Sequence, residues 1–365
     1  MTQDQTVHCS SQERSRKSFE HSPKLVLYEV TQACDLVCLH CPANSQNRRD
    51  FNELDTEAAT RLISQLNEFP TPPSLTLTGG DPLKRPDIYG LIDRAVDAEL
   101  DVSITLSPTA LVSREAVSRL RGAGIKHIEI GLDGADATTH QTVRGVRGSF
   151  QRTMEIIGDA RQLGVEVHIN STLTPVSIEQ IEMMADQFGS LGIALWSVYF
   201  LIPQGKDDHR PRLNADQCER AFEQLWLQSK KQPYLIKTTE APHYRRYVIQ
   251  HRITCCSDLD RLDTTEPGSL IPAGINDGKG VMFVTHTGEV YPGGFLPVKC
   301  GSFPRESVVD IYQSSTIFKT LRDRHQLEGK CGRCEFRHIC GGSRARAYAV
   351  TGNLLAEEPD CNYFP

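Results

Sequence analysis

Between positions 24 and 201 the chain alternates short β-branched or apolar runs with longer stretches whose apolar residues recur at helical spacing. The apolar runs predict strands over 24–30, 74–78, 101–106, 127–132, 166–173 and 194–201. The amphipathic stretches predict helices over 56–67, 87–98, 113–123, 149–163 and 178–191. Asp55, Pro86 and Ser177 stand where helix starts are expected, and Gly122, Gly124 and Gly164 follow helices. Alternation of this kind dictates a parallel sheet with right-handed crossovers. Six units fall short of closing an eight-stranded barrel, so the expected fold is α/β, a partial (β/α)6 TIM-like barrel. Its site is expected in the loops that follow the strands.

Beyond the repeat, 214–230 reads as one more helix and 236–280 as an irregular connecting segment. Residues 281–284 and 289–291 flank His286-Thr287-Gly288, a hairpin signal, and 317–325 is a short helical stretch before a cysteine-rich end. The expected organisation is a disordered tail over 1–23, a core over 24–235, the connecting segment, and a small α+β extension over 281–365.

Composition narrows the class. Of 365 residues, 39% are hydrophobic and 24% charged, enough for a full core. The net charge of −6 argues against nucleic acid as the main partner. No apolar run reaches membrane-spanning length and 1–23 carries no signal-peptide core, so neither a membrane nor export is expected. Twelve cysteines in such a chain point to metal or cluster ligation in a reducing cytoplasm, not to a disulfide framework.

Cys34, Cys38 and Cys41 follow the first apolar run directly. Three thiolates at this spacing, on a loop leaving a strand, can hold three irons of a [4Fe–4S] cube and leave the fourth open to a cosubstrate. The bland alternative is a zinc knuckle with a distant fourth ligand. The second strand ends in Thr78-Gly79-Gly80-Asp81-Pro82, where two glycines allow close backbone approach to a ligand or simply make a turn. At the chain end Cys331, Cys334, Cys340 and Cys361 suit a closed four-ligand site, zinc or cubane.

The cysteine spacing, with these downstream elements, resembles the radical S-adenosylmethionine (SAM) superfamily, and the C-terminal array resembles its SPASM extension. The resemblance implies that Cys34, Cys38 and Cys41 ligate a SAM-binding [4Fe–4S] cluster and that the four later cysteines hold one auxiliary [4Fe–4S] cluster. A second auxiliary cluster is not expected, because Arg344 stands where two-cluster members carry cysteine; Cys255, Cys256 and Cys300 remain a possible partial site. Gly79-Gly80-Asp81 matches the family's glycine motif for the SAM amino group, with Asp where Glu is usual. Gly131-Leu132-Asp133-Gly134 is similar to another SAM-contacting element, with Gly131 where Ser is common. Arg144, in a loop after Thr139-His140, is a candidate partner for the SAM carboxylate or a solvated surface Arg. Ser107 and Asn170 are candidates for ribose or methionyl contacts, or else satisfied polar groups, and His40 is expected to pack near the adenine.

The ending from Cys340-Gly341-Gly342 to Glu358-Pro359-Asp360-Cys361 looks most like the branch containing the alternative haem synthase and haem d1 enzymes. That branch implies oxidative decarboxylation of porphyrin propionates by a 5′-deoxyadenosyl radical, with an electron donor such as flavodoxin or ferredoxin. Tyr244-Arg245-Arg246 and Arg252 are expected to grip carboxylates or to form a solvated basic face. Two rivals stand beside this reading of the substrate. One is a maturase acting on a ribosomally made peptide, for which 1–23 is short as a leader-binding wing; the other is a non-enzymatic metal-binding scaffold.

Overall fold

The structure, a computed structural model, describes residues 19–39, 41, 43–203, 210–255 and 274–365. Its core is a run of parallel strands, β1 (Leu25–Thr31), β2 (Ser74–Gly79), β3 (Val102–Leu106), β4 (His127–Gly131), β5 (Glu166–Leu173), β6 (Leu195–Phe200) and β7 (Leu235–Thr239). The intervening helices are α1 (Thr56–Leu66), α2 (Ile88–Asp97), α3 (Arg114–Gly122), α4 (Ala137–Arg144), α5 (Ser149–Gln162), α6 (Ile181–Leu191) and α7 (Ala215–Lys231). After α8 (His243–Cys255) come β8 (Asn276–Asp277), β9 (Gly280–Val284), β10 (Glu289–Tyr291) and β11 (Gly301–Ser302). The chain ends with α9 (Val308–Ser314), α10 (Thr316–Arg322), α11 (Gly329–Arg333) and α12 (Arg344–Thr351).

Strand order is β11-β10-β9-β1-β2-β3-β4-β5-β6-β7. The strands of the extension therefore continue the same sheet: β9 pairs in parallel with β1, Leu25 opposite Val281, and β10 returns antiparallel. The ends of the sheet do not meet, which leaves the partial barrel open.

Alternation along each strand separates two jobs. Val26, Tyr28, Val30, Ile128 and Ile130 belong to the core between sheet and helices. Burying each aliphatic of this kind stabilises by roughly 1.5–3 kcal/mol. The intervening residues, among them Leu27, Glu29, Thr105, Glu129 and Asn170, face the lumen and line a cavity. Stability thus comes from the outer layer, and the lumen is left free to carry polar groups.

Several expectations need correction. The segment expected to be irregular holds β7 and α8. β7 is short, and α8 buries Tyr244, Arg245, Arg246, Tyr247 and Val248 in succession, so neither shows a clean polar face. The stretch from Thr139 to Arg144, expected to be a loop, belongs to helix α4, started by Asp136, whose side chain accepts from Thr139 N, and stopped by Gly145 at φ 77°. Ser177 stands before a 3-10 turn (Ile178–Gln180) that leads into α6 at Ile181, but its hydroxyl accepts from Thr174 N and makes no cap bond to that turn. The tail is packed from Phe19 onward: Phe19 is buried, its carbonyl accepts from Tyr312 Oη at 2.7 Å, and its ring lies over Gly280.

Candidate active site

The loop leaving β1 is tied at its base by Cys34 N donating to Gln46 O (2.7 Å) and Gln46 N to Gln32 O (3.0 Å). β2 exits against it, with Gly80 N donating to Thr31 O and Asp81 N to Ala33 O. Only glycine permits this approach. A Cβ at Gly79 would stand 2.2 Å from Thr31 O, and one at Gly80 would stand 2.5 Å from Ala33 O, both backbone atoms that cannot yield.

This junction brings Cys34, Cys38 and Cys41 onto one wall of a cavity of about 270 Å³. Leu36 N donates to Cys34 Sγ at 3.4 Å, and Cys41 Sγ lies 2.7 Å from Ser45 Oγ. None of the three is in a disulfide. Burial pushes the Cys34 and Cys38 thiols up, so loading iron here displaces protons. Three free thiols, facing a cavity whose other wall offers no fourth thiol among the described residues, fit a three-ligand cluster with one open iron.

Across the cavity stand Asp133 and Arg144. Asp133 Oδ2 accepts from Arg144 Nε (2.9 Å) and Nη2 (2.8 Å), while its Oδ1 accepts from Thr172 N. Burial works against the guanidinium charge, but Asp133 and the nearby Cys38 sulfur outweigh it and raise the pKa of Arg144. The guanidinium lies across Gly131, where a Cβ would come within 1.9 Å of Nη2. Glycine stands at 131 because Arg144 occupies that volume. His140 is buried and accepts the Asp133 backbone N–H at Nδ1 (3.0 Å), fixing the turn that presents the carboxylate.

Of the candidate residues, Gly79, Gly80, Ser107, Asp133, Arg144 and Asn170 line the cavity. Ser107 Oγ donates to Gly80 O (2.5 Å) and sits 3.8 Å from Cys34 Sγ. Asp81 does not line it: its buried carboxylate turns inward, accepting from Leu83 N and Thr109 Oγ1. His40 lies outside the described residues. Glu29 and Glu129 were not singled out from sequence, yet both line the lumen. Their signal is a carboxylate at an alternate position of an apolar strand, opposite in direction to its aliphatic neighbours. Glu129 Oε2 accepts from Asn170 Nδ2 (2.9 Å), and Glu29 Oε2 is 2.7 Å from Nδ1 of His286 in the β9–β10 turn.

Further down the lumen, His127, Glu129 and His168 offer ligand atoms within 4.8 Å of one another. The two imidazoles are stacked, 4.1 Å apart with planes at 24°, so their in-plane lone pairs run side by side and do not converge. His168 Nε2 is also engaged by Glu166 at 2.9 Å. The trio is a lumen wall.

Cys331, Cys334, Cys340 and Cys361 line a second, smaller cavity together. Each sulfur accepts a backbone N–H: from Glu358 to Cys331, Phe336 to Cys334, Gly342 to Cys340 and Tyr363 to Cys361. Four thiols already furnished with amide donors fit a fully ligated anionic centre. Arg344 is buried beside it and donates to Leu354 O and Ala356 O. Arg245 and Arg246 do not reach the first cavity and are not a solvated face. Arg245 donates to Asn276 Oδ1, Ile339 O and Ile275 O, and Arg246 pairs with Glu219. Cys300 lies apart, its Sγ donating to Val298 O at 3.5 Å; the Cys255 side chain and Cys256 lie outside the described residues.

The pattern of the radical SAM superfamily matches residues 28–188. Along 345 residues the chain is 34% identical to the AdoMet-dependent heme synthase of Methanosarcina barkeri, which spans 94% of this chain and 98% of that protein. It is 33% identical over 348 residues to the AdoMet-dependent heme synthase of Nitratidesulfovibrio vulgaris, covering 94% and 93% of the two chains. The fold is similar to that of SuiB from Streptococcus suis in its crystal with S-adenosylmethionine, with a TM-score of 0.70 at 18% identity over 93% of this chain and 77% of that one. A likeness at that identity speaks for fold alone. The likeness to the two heme synthases, which runs nearly end to end, speaks for more: the chain belongs to the radical SAM superfamily, in the family of the AdoMet-dependent heme synthases.

Proposed function

We propose that this radical SAM enzyme oxidatively decarboxylates a propionate side chain of a haem-type tetrapyrrole. The observation that carries the substrate class is the 34% identity to an AdoMet-dependent heme synthase over 98% of that protein. The cavity supports it. One face is polar, with Asp133, Arg144 and Asn170, and the other carries Leu27, Ile202, Phe283 and Phe295, an apolar wall suited to a flat macrocycle.

With a [4Fe–4S] cluster and SAM bound, the chemistry supplied is one-electron cleavage of SAM to methionine and a 5′-deoxyadenosyl radical that takes hydrogen from an unactivated C–H. The chain's own residues prepare that event. Cys34, Cys38 and Cys41 would hold three irons, and the Gly79-Gly80 backbone edge would receive the SAM amino group. Arg144, aligned by Asp133, would receive the carboxylate, and Ser107 and Asn170, which line the same cavity, would contact the ribose or methionyl groups. In the net reaction a –CH2–CH2–COO⁻ side chain becomes –CH=CH2 and CO2, one hydrogen atom passes to the deoxyadenosyl carbon, and one electron must leave. The four-thiol site on Cys331, Cys334, Cys340 and Cys361 is the proposed acceptor, as one auxiliary [4Fe–4S] cluster. A flavodoxin or ferredoxin of a reducing cytoplasm is the proposed source of the electron that starts each turnover.

The test is anaerobic incubation of reconstituted protein with dithionite, SAM and an iron porphyrin bearing propionates. Each processed side chain should lower the product mass by the elements of formic acid. Accumulation of 5′-deoxyadenosine with the porphyrin unchanged would remove the tetrapyrrole from the proposal.

A further inference from the structure

Among the described residues of the C-terminal half, one buried guanidinium lacks every hydrogen-bond partner. Arg324 opens the short turn Arg324–Gln326 after α10, is 3% exposed, and none of its three side-chain nitrogens makes a hydrogen bond. A buried guanidinium left in that state is strongly unfavourable. Its neighbours are not so placed. Arg245 donates to three oxygens, Arg344 Nη1 donates to two carbonyls, and Arg346 pairs with Glu358 at 3.0 Å. Asp277, the buried carboxyl close by, does not hydrogen-bond to it: Asp277 Oδ2 is itself without a partner, and burial and Glu240 push that carboxyl's pKa up.

The position of Arg324 explains what would complete it. Its guanidinium lies over Gly341, the residue after Cys340, where a Cβ would come within 2.6 Å of Nη1. Arg344 Nη2, also without a hydrogen-bond partner, lies over Gly342 in the same way, and Cys331 Sγ is 3.5 Å from that Cβ position. Two successive glycines at positive φ (70° and 65°) thus admit two guanidinium edges against the loop that carries the thiols. The thiols have their backbone donors, and among the described residues nothing accepts from the unfilled N–H groups of Arg324 and Arg344 Nη2.

We propose that Arg324, assisted by Arg344, is the counter-charge of an auxiliary [4Fe–4S] cluster on Cys331, Cys334, Cys340 and Cys361, and that it raises the reduction potential of that cluster. The inference rests on the four-iron reading of this site. A cubane with four thiolates carries a net negative charge that grows by one on reduction, and a fixed buried cation favours the more negative state. Neither guanidinium lines the cavity that the four thiols share, so the interaction would be electrostatic, acting across the Gly341-Gly342 loop. The cluster would then gain the electron that the substrate loses with CO2.

The test is an EPR-monitored redox titration of the full-length, reconstituted protein, with the first cluster silenced by C34A/C38A/C41A to isolate the second signal. Arg324→Met should lower the ratio of reduced to oxidised cluster about tenfold at a fixed poise, a shift of about 59 mV to lower potential for one electron. Arg324→Lys should recover most of the wild-type value. An unshifted Arg324→Met, or a lysine variant shifted as far as the methionine variant, would overturn the inference. If Arg324→Met assembles no cluster, thermal unfolding of the metal-free proteins decides. The proposal requires the methionine variant to melt higher than metal-free wild type, because an uncompensated charge has been removed, and an unchanged or lower midpoint overturns it. Wild-type protein with about four irons and one zinc would instead sink the four-iron reading itself, and this inference with it.

Discussion

At Gly131 a single missing Cβ decides where a cation sits. Gly131→Ser should leave the fold intact, because Arg144 is the flexible end of a side chain, but it should push the guanidinium off Asp133. SAM binding is expected to weaken roughly tenfold, about 1.4 kcal/mol, measured by equilibrium dialysis on reconstituted protein. His140 gives a second test at this scale. Burial, opposed by Asp133 and aided by Arg144, lowers its pKa to about 4. Unfolded histidine titrates near 6.5, so the stability that neutral His140 contributes is complete above that pH and is lost as pH falls toward 4. Denaturant unfolding should show a loss of about 2 kcal/mol between pH 7 and pH 5, reduced in His140→Asn. The seven cysteines proposed as cluster ligands were singled out in the sequence because spacing is itself the signal, and the fold gathers them into a group of three and a group of four. Glu29, Glu129 and Arg324 were not, because what singles them out is the side of the chain they face and what they lack around them.

Among the elements, the alternation of strand and helix was readable wherever one face is apolar and the other wet. The six strands from Leu25–Thr31 to Leu195–Phe200 fall within a residue or two of expectation. α4 and α8 escaped because several of their polar residues are buried inside the fold, which erases the amphipathic contrast. α12 escaped in the same way, since Arg344 and Arg346 are 1% exposed. The buried pair between Arg346 and Glu358 ties α12 to the chain end. Glu358→Gln should cost about 3 kcal/mol by leaving part of that charge uncompensated, read from the urea midpoint of the metal-free protein. At the other junction, Gly79→Ala would set a Cβ 2.2 Å from a backbone oxygen at φ 141°. The exit of β2 should be forced away from the cysteine loop, and iron content should drop to that of the C-terminal centre alone.

Over the whole molecule, one sheet joins the segments that carry the two proposed centres. β1 leads into the cysteine loop, and β9, its parallel neighbour, belongs to the segment that ends at the second thiol site. The two centres are nonetheless built from separate ligand sets. Cys361→Ala should therefore lower product formation while uncoupled 5′-deoxyadenosine formation persists, both read in the same samples; equal loss of both would deny the second centre its acceptor role. The central claim is that a radical formed at the Cys34–Cys41 loop takes hydrogen from a propionate arm held in the lumen. It is tested most directly with an iron porphyrin deuterated in its propionate methylenes. Mass spectrometry should find one deuterium in 5′-deoxyadenosine for each vinyl group formed, and no transfer in the C34A/C38A/C41A protein. Vinyl product accompanied by unlabelled 5′-deoxyadenosine would contradict the account.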